Sequence, residues 1–304
     1  MSIIVNKLTK IYGEQKAIDQ ISFTADPNQV VGLIGPNGAG KTTTMKILTC
    51  YMPPSSGNVQ LCGYDISKDD FEIRKIIGYL PEHNPLYGSM YVKEYLSFVC
   101  RIHKIQKPQA RVNEILDRVG ISVEKHKKIS ELSKGYKQRL GIAQAIIHDP
   151  KVLILDEPIS GLDPNQLIEI RNLIKELKEN KTIIFSSHIL QEVESICDRV
   201  VILDKGQVIT NESISNLNMI NQDITNIHLE LIDYIDISYL MNIPGIISVE
   251  DLGHKKYSVS AEKNKDVRVL IFDKVVEVGN KILIMNIQQD SLENIFKSIT
   301  KTNS

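Results

Sequence analysis

The stretch "GPNGAGKTT", residues 35–43, decides the fold class of this chain. It matches the pattern G-x-x-x-x-G-K-[ST], follows the apolar run "VVGLI" and opens a segment with helical character at 42–50. Glycines let the backbone wrap closely, so that successive N–H groups and the helix N-terminus face a phosphate group. The pattern therefore predicts a strand, a phosphate-binding loop and a helix, in this order.

The chemistry of the loop assigns roles to its side chains. We expect Lys41 to reach the β- and γ-phosphates of a nucleotide and the Thr42 hydroxyl to ligate Mg²⁺. The alternative is a glycine-rich surface turn with an exposed lysine, which would not explain why a strand and a helix flank the loop. The other residues predicted to contact the nucleotide are Asn37, Gly38, Ala39, Gly40 and Thr43.

A second stretch, "VLILDEP" at 152–158, supplies acidic residues and completes the predicted site. Its apolar residues predict a buried strand, and Asp156 at the end of that strand can hold the Mg²⁺ shell. Glu157 follows directly, where a carboxylate can orient or deprotonate an attacking water. Alone, the stretch would equally suit an acidic cap on a helix. Together with the phosphate loop, it predicts nucleotide hydrolysis.

Beyond residue 131, predicted helices alternate with short, continuously apolar strands. This alternation indicates a parallel sheet covered on both faces, and therefore an α/β fold. Residues 91–119 are mainly helical in pattern. The apolar strands lie at 152–155, 182–186 and 200–203, and one helical face carries Val112, Ile115, Leu116 and Val119.

The pattern changes towards the C-terminus. Residues 210–223 are polar and lack a strong period, and we interpret 216–223 as a linker. Residues 224–304 suggest a small α+β domain with a βαββαβ-like order. Its tail, "SLENIFKSIT", places four apolar residues on one helical face, namely Leu292, Ile295, Phe296 and Ile299.

Composition narrows the possible functions. The 304 residues suffice for two domains with separate cores. The 36 basic and 37 acidic side chains leave a formal charge of -1, which argues against a nucleic-acid partner. The four cysteines are scattered, as expected in a reducing cytosol. No stretch approaches the roughly 18 apolar residues of a membrane span, so we expect any membrane role to require a partner.

The motifs in combination resemble those of a known family. After the glycine-rich loop come "LSKGYKQR" (132–139), "LILDEP" (153–158), "SGLD" (160–163) and "SSH" (186–188). In this order and spacing they resemble the ATP-binding subunit of an ABC transporter. The chain looks most like the bacterial subgroup that serves drug, polysaccharide and gliding-motility exporters. The resemblance covers residues 1 to about 215.

This resemblance implies an architecture and a mode of action. It implies a P-loop NTPase domain over residues 1–215 with a helical insert at about 84–150, followed by a small C-terminal α+β accessory domain. Two copies of the chain would sandwich two Mg-ATP molecules head to tail, and a separate integral membrane permease would convert ATP hydrolysis into export. The chain would be cytoplasmic and peripheral on the inner face of the cell membrane, held there by the permease.

Three further site residues rest on the resemblance. Tyr12 fits the aromatic residue that stacks on adenine, although a tyrosine between strands also suits a core or surface position. His188 fits the switch histidine that contacts the γ-phosphate, although a strand end also suits a structural histidine. Asp163 fits the loop that crosses to the partner subunit. With Pro164 behind it, Asp163 also suits a helix N-cap.

The chain departs from the family pattern at two places. Glu82 stands where the family usually has a glutamine that contacts Mg²⁺ and relays to the transmembrane partner. Its carboxylate can offer an oxygen to Mg²⁺ but adds negative charge. The family's Leu-Ser-Gly-Gly-Gln is here Leu132 to Tyr136, which keeps Ser133 and Gly135 as a lid over a γ-phosphate held by the other copy. The alternative is a plain helix cap with a solvated basic face.

Three rival functions remain to be weighed. A soluble ABC-type ATPase that acts on ribosomes or DNA would usually carry two phosphate loops in one chain or a long coiled-coil insert. This sequence shows neither feature. A GTPase or kinase would leave the turn at 131–139 unexplained, and no N-K-x-D guanine motif follows the loop. A scaffold that binds ATP without turnover is disfavoured, because Glu157 fills the catalytic position.

Overall fold

The computed structural model describes residues 1–187, 189–220, 224–262 and 265–288. The chain divides into two compact units, Met1–Ile214 and Ser215–Ser304. In chain order the strands of the first unit are β1 (Ile3–Tyr12), β2 (Gln15–Ala25), β3 (Val30–Ile34), β4 (Ser56–Leu61), β5 (Tyr64–Asp65), β6 (Ile77–Leu80), β7 (Val152–Leu155), β8 (Thr182–Ser186), β9 (Arg199–Asp204) and β10 (Gln207–Ser213). Its helices are α1 (Lys41–Leu48), α2 (Asp70–Ile76), α3 (Val92–Ile102), α4 (Pro108–Arg118), α5 (Lys134–Ile146), α6 (Pro164–Lys178) and α7 (Leu190–Ile196).

Two sheets form the first unit. The smaller sheet has the order β2-β1-β4-β5, with antiparallel pairs. The larger has the order β10-β9-β3-β8-β7-β6, and its strands run parallel except for β10 at the edge. Strands β3, β7 and β8 are buried along their whole length, as expected for continuously apolar strands covered on both faces. The predicted α/β fold is confirmed.

One apolar core joins the two sheets. It contains Ile3 and Val5 of β1, Leu33 of β3 and Met45 of α1, each almost fully buried. At the start of β1, Ile3 and Val5 are two residues apart and therefore lie on the same face, which packs on this core. The packing holds the loop between β3 and α1 at the carboxyl end of an interior strand of the larger sheet.

Helices α3, α4 and α5 lie between β6 and β7, where the sequence predicts a helical insert. In α4, Val112, Ile115 and Leu116 are completely buried, and Val119 just beyond the helix is 1% exposed. The apolar face predicted for this helix is therefore confirmed.

In its described part, the second unit contains a four-stranded antiparallel sheet, and its strands and helices follow the chain order β-α-β-β-α-β. The strands are β11 (Ile224–Leu231), β12 (Ile246–Gly253), β13 (Lys256–Glu262) and β14 (Ile282–Gln288), in the spatial order β12-β13-β11-β14. Helices α9 (Ile237–Met241) and α10 (Arg268–Glu277) supply Leu240, Ile271 and Val275 to its core. The predicted α+β order is confirmed, while the predicted apolar face of the tail (292–299) lies outside the described residues.

The stretch at 210–223, which we interpret as containing a linker, includes regular secondary structure. Strand β10 continues to Ser213, and helix α8 (Ile214–Ile220) follows, so residues 216–220 are helical. The Ile214 N–H donates to the carbonyl oxygen of Asp198 at 2.9 Å, and Leu217 is 1% exposed. These anchors stabilise a helix that its polar composition did not predict. In the described part of the chain, no helix is both long enough and apolar enough to cross a membrane.

Candidate nucleotide-binding site

The phosphate loop connects the end of β3 to the start of α1. Gly38 and Gly40 have φ angles of 81° and 105°, in the left-handed region that favours glycine. A Cβ atom at Gly40 would lie 2.8 Å from the carbonyl oxygen of Ala17. The Thr44 hydroxyl donates to the Gly40 carbonyl oxygen at 2.9 Å. Sterics and hydrogen bonding therefore hold the loop in one conformation, and position 40 requires glycine.

A cavity of about 640 Å³ opens beside this loop. Its wall brings together nine residues predicted from the sequence: Asn37, Gly38, Gly40, Lys41, Thr42, Thr43, Glu82, Asp156 and Glu157. Ala39 is placed differently, because its methyl group is buried in the core behind the loop. Gln15, Ala17 and Ser160 also line the wall and were not predicted. Ser160 belongs to the "SGLD" stretch and could have been found, whereas β2 carries no nucleotide-binding signal.

Lys41 is buried at the base of this cavity. Its ammonium donates to the carbonyl oxygens of Gly35 at 2.7 Å and Pro36 at 3.1 Å. Burial lowers the pKa of Lys41, and the carboxylates of Glu157 and Asp156 act in the opposite direction. An ammonium has three N–H donors, so it can also meet a phosphate oxygen from this position.

Ser186, at the end of β8, joins the two acidic residues that follow β7. Its hydroxyl donates to Asp156 Oδ1 at 2.7 Å and accepts the Glu157 N–H at 2.9 Å. Glu157 itself has a φ of 49°, which is uncommon for a residue other than glycine and typical of functional positions. The hydrogen bonds of Ser186 stabilise this conformation. Sequence reasoning missed Ser186, although the "SSH" stretch contains it.

Asp156 is 1% exposed, and burial raises the pKa of its carboxyl group, while the hydrogen bond from Ser186 acts in the opposite direction. Among the described residues, its Oδ2 atom has no hydrogen-bond partner. A buried carboxylate oxygen in this state is costly unless a ligand meets it. Thr42 and Glu82 line the same wall, and hydroxyl and carboxylate oxygens are the donors that Mg²⁺ prefers. These residues fit a Mg²⁺ ion bound together with nucleotide phosphates.

Tyr12 lies beside the cavity rather than in its wall. It ends β1, where it pairs with the wall residue Gln15 across the hairpin, and its side chain is 46% exposed. Its hydroxyl donates to Met52 Sδ at 2.9 Å, and the Lys10 ammonium lies 5.4 Å from the ring centroid. The ring is held and accessible, as a base-stacking residue requires. Its contact with adenine stays a prediction.

The turn formed by residues 133–136, which we name the lid turn, starts α5. Ser133 is the N-cap and accepts the Tyr136 N–H at 3.3 Å, so the cap alternative describes part of its role. Neither Ser133 nor Gly135 is among the residues that line the cavity of its own chain. Their action on a nucleotide in another copy stays a prediction.

Two further site residues were predicted from the sequence, Asp163 and His188. Asp163 caps α6 by accepting the Gln166 N–H at 2.9 Å, and Pro164 takes the first helical position, as predicted. Its contact with a partner subunit stays a prediction. His188 lies outside the described residues.

Comparisons with known proteins agree with this geometry. The model of the family described as "ABC transporter" matches residues 18–160. The chain is 35% identical to the bacitracin transport ATP-binding protein BcrA of Bacillus licheniformis, over 97% of each chain. It is 32% identical to the linearmycin resistance ATP-binding protein LnrL of Bacillus subtilis (strain 168), over 96% of each chain. A solved dimeric structure of a bacterial ABC transporter cassette is similar with a TM-score of 0.65 and 25% identity, covering 70% of this chain and 98% of that one.

Proposed function

Because the chain belongs to the ABC transporter family as an ATP-binding subunit with ATPase activity, we propose that it works as a head-to-tail dimer driving a separate membrane permease. One observation carries the dimer. Ser133 and Gly135 offer a hydroxyl and a backbone N–H at a helix N-terminus, yet they do not line the cavity of their own chain. A second copy would place this lid turn over phosphates held in the first cavity. The similarity to a dimeric cassette supports the same arrangement.

Within such a dimer, each chain would divide the chemistry among few side chains. Lys41 would bind the phosphates, and the Glu157 carboxylate would orient the attacking water. Thr42, Glu82 and Asp156 would hold Mg²⁺, which when bound neutralises phosphate charge. The backbone of Glu157 is held by its hydrogen bond to Ser186 in a conformation with a φ of 49°, which fixes the point from which its side chain extends into the cavity.

A second cavity offers a place for the permease. It has a volume of about 700 Å³ and shares Thr42, Glu82 and Asp156 with the nucleotide cavity. Tyr51 and Arg74 supply aromatic and basic surface to its wall. A permease segment seated there would contact the same Glu82 that faces the nucleotide. Glu82 could in this way report nucleotide binding to the membrane subunit.

Export is the direction that we propose, with a compound harmful to the cell as the cargo. The support is that two relatives matching over nearly the whole length are named for bacitracin transport and for linearmycin resistance. Removal of a harmful compound from the cell would account for both names.

The dimer is tested by complementation between two inactive chains in a Glu157→Gln background, where ATP is trapped rather than hydrolysed. One chain carries Lys41→Ala, and the other carries Ser133→Arg, a bulky block in the lid turn. The mixed dimer would combine the intact cavity of the Ser133→Arg chain with the intact lid turn of the Lys41→Ala chain. We expect retained radiolabelled ATP after purification through two different tags, at most one per two chains.

If the lid turn acts within its own chain, neither partner contributes an intact site and mixing restores nothing. Absence of retained ATP, with both variants folded and paired, would overturn the head-to-tail arrangement, in which the lid turn acts on the nucleotide of the partner copy. Each variant alone serves as the control, because its homodimer contains no intact site.

The alternative function is an ABC-type ATPase that remodels a macromolecular complex without a permease. The two functions differ in where the chain is recovered after cell fractionation. Coexpression with its permease should move the chain to the membrane fraction, and expression without the permease should not. Membrane association that is independent of any partner protein would contradict the proposed permease.

A further inference from the structure

Gln166, on the first turn of α6, packs directly against the lid turn of its own chain. A Cβ atom built on Gly135 would lie 2.5 Å from Gln166 Cδ and 2.8 Å from Nε2. The carboxamide thus fills the space that a side chain at position 135 would occupy. Gly135 is buried, and Gln166 is half-buried. Gln166 therefore covers the backbone of one of the two lid residues.

Lys134 makes a second contact between the same two segments, in this case from the lid turn towards Gly161. Lys134, in the lid turn, extends along Gly161, where a built Cβ atom would lie 3.2 Å from Lys134 Cε and would meet its ammonium. Gly161 has a φ of 68°, so glycine suits this position on both steric and backbone grounds. Gln166 and Lys134 together fasten the lid turn to the segment 160–166.

The segment 160–166 leads back to the catalytic residue of the same chain. Ser160 lines the nucleotide cavity, and its N–H donates to the Glu157 carbonyl oxygen at 3.2 Å. At the other end of the segment, the Gln166 N–H donates to Asp163 Oδ1 at 2.9 Å. A continuous series of contacts therefore runs from Glu157, which serves the chain's own cavity, to Gly135, which does not.

We propose that Gln166 is a positioning residue that presents the lid turn to the nucleotide of the partner copy. This inference rests on the proposed head-to-tail dimer. In such a dimer, each chain contributes its cavity to one nucleotide and its lid turn to the other. The segment 160–166, anchored by the Ser160 and Gln166 N–H groups, is the support from which Gln166 holds the lid turn.

Gln166 is suited to this role by its length and neutrality. Its carboxamide reaches Gly135 from the next helix without bringing a charge to the place where a phosphate would approach. Truncation to alanine would uncover Gly135 and leave the lid turn free to shift. Misplacement of a positioning element by ~1 Å can lower activity by about 10²-fold.

The mixed dimer has one intact site, so Gln166→Ala can be placed either in the chain that supplies the lid turn or in the chain that supplies the cavity. Placed in the Lys41→Ala chain, which donates the functional lid turn, Gln166→Ala should lower retained ATP by at least about fivefold, within the range of coupling between residues in contact. Placed in the Ser133→Arg chain, whose lid turn is already blocked, the same substitution has no functional lid to disturb and should leave retention unchanged. The matched control is Asn165→Ala in the Lys41→Ala chain, since Asn165 is an exposed amide one residue earlier.

Each outcome decides between positioning of the lid turn by Gln166 and a general structural effect. A loss confined to the lid-donating chain, with the melting temperature and nucleotide binding of the separate chains unchanged, supports the inference. An equal loss in both placements, or no loss in either, would overturn it. If the parent mixed dimer retains no ATP, the head-to-tail dimer itself fails and the inference fails with it. The mixed dimer without a substitution at position 166 therefore distinguishes a failure of the head-to-tail dimer from a failure of the inference about Gln166.

Discussion

The two units of the chain bury their polar groups in opposite ways. The first unit buries charged side chains at its nucleotide cavity, including Lys41 and Asp156, and leaves Asp156 Oδ2 without a hydrogen-bond partner among the described residues. In the described part of the second unit, no charged side chain is buried. Its fully buried Tyr257 satisfies its hydroxyl locally, by accepting the Ile235 N–H at 3.0 Å and donating to the Ile235 carbonyl oxygen at 3.2 Å.

The difference identifies the part of the molecule that is built for a ligand. A buried charge without a full set of partners lowers stability, so it is expected only where a ligand later supplies the missing contacts. In the second unit, the buried hydroxyl of Tyr257 is satisfied by the backbone of Ile235, as expected of a core that requires no ligand. The comparison therefore predicts large functional effects and small stability effects in the first unit's cavity, and the reverse in the second unit's core.

Glu157→Gln should produce the largest effect on activity. The substitution keeps the shape and the backbone position but removes the base, so ATP turnover should fall by about 10²- to 10⁴-fold. Mg-ATP binding should remain, because Lys41, Thr42 and Asp156 are unchanged. Steady-state ATPase rates and equilibrium binding measure the two quantities. Turnover close to wild type would place the base elsewhere.

Asp156→Asn should separate ligand binding from stability. Wild type should gain about 2.7 kcal/mol from Mg-ATP at a concentration 100 times Kd, and the variant should gain almost nothing. Without nucleotide, however, the variant should be at least as stable as wild type at neutral pH. The reason is that burial raises the pKa of Asp156, so its ionised form opposes folding. Thermal denaturation with and without Mg-ATP measures both effects.

The pH dependence of the same pair sharpens this test. As the pH falls through the raised pKa of Asp156, wild type takes up a proton and the unfavourable contribution disappears, whereas asparagine does not titrate. The stability difference between the two nucleotide-free proteins should therefore narrow towards acid pH. A difference that widens would contradict the raised pKa.

Tyr257→Phe should give the smallest effect on activity and tests the second unit. Loss of the hydroxyl leaves the N–H and carbonyl oxygen of Ile235 without this partner, which should lower the free energy of unfolding by about 1–3 kcal/mol. ATPase activity of the folded protein should not change. Tyr239→Phe is the matched control, because Tyr239 is 45% exposed and should alter neither quantity. Urea denaturation followed by an ATPase assay gives both values.

The sequence was most informative where function depends on residues close together in the chain. The phosphate loop, the acidic pair after β7 and the cap at Asp163 could each be predicted from a local pattern. The segment at 216–220 was predicted as linker because it is polar, and it is helical because Leu217 is buried and Ile214 is anchored to Asp198. A polar pattern does not reveal anchors such as the carbonyl oxygen of Asp198, which lies 16 positions earlier in the chain.

Local sequence patterns were sufficient to predict the α/β fold, the phosphate loop and the identities of Lys41, Asp156 and Glu157, because periodicity and loop chemistry are properties of neighbouring residues. How these groups are held depends on contacts between segments that are far apart in the chain. Ser186 reaches Asp156 across 30 positions of sequence because β7 and β8 run side by side in register. Gln166 covers Gly135 because α6 packs beside the start of α5. Contacts of this kind depend on strand register and helix packing, which no local pattern encodes.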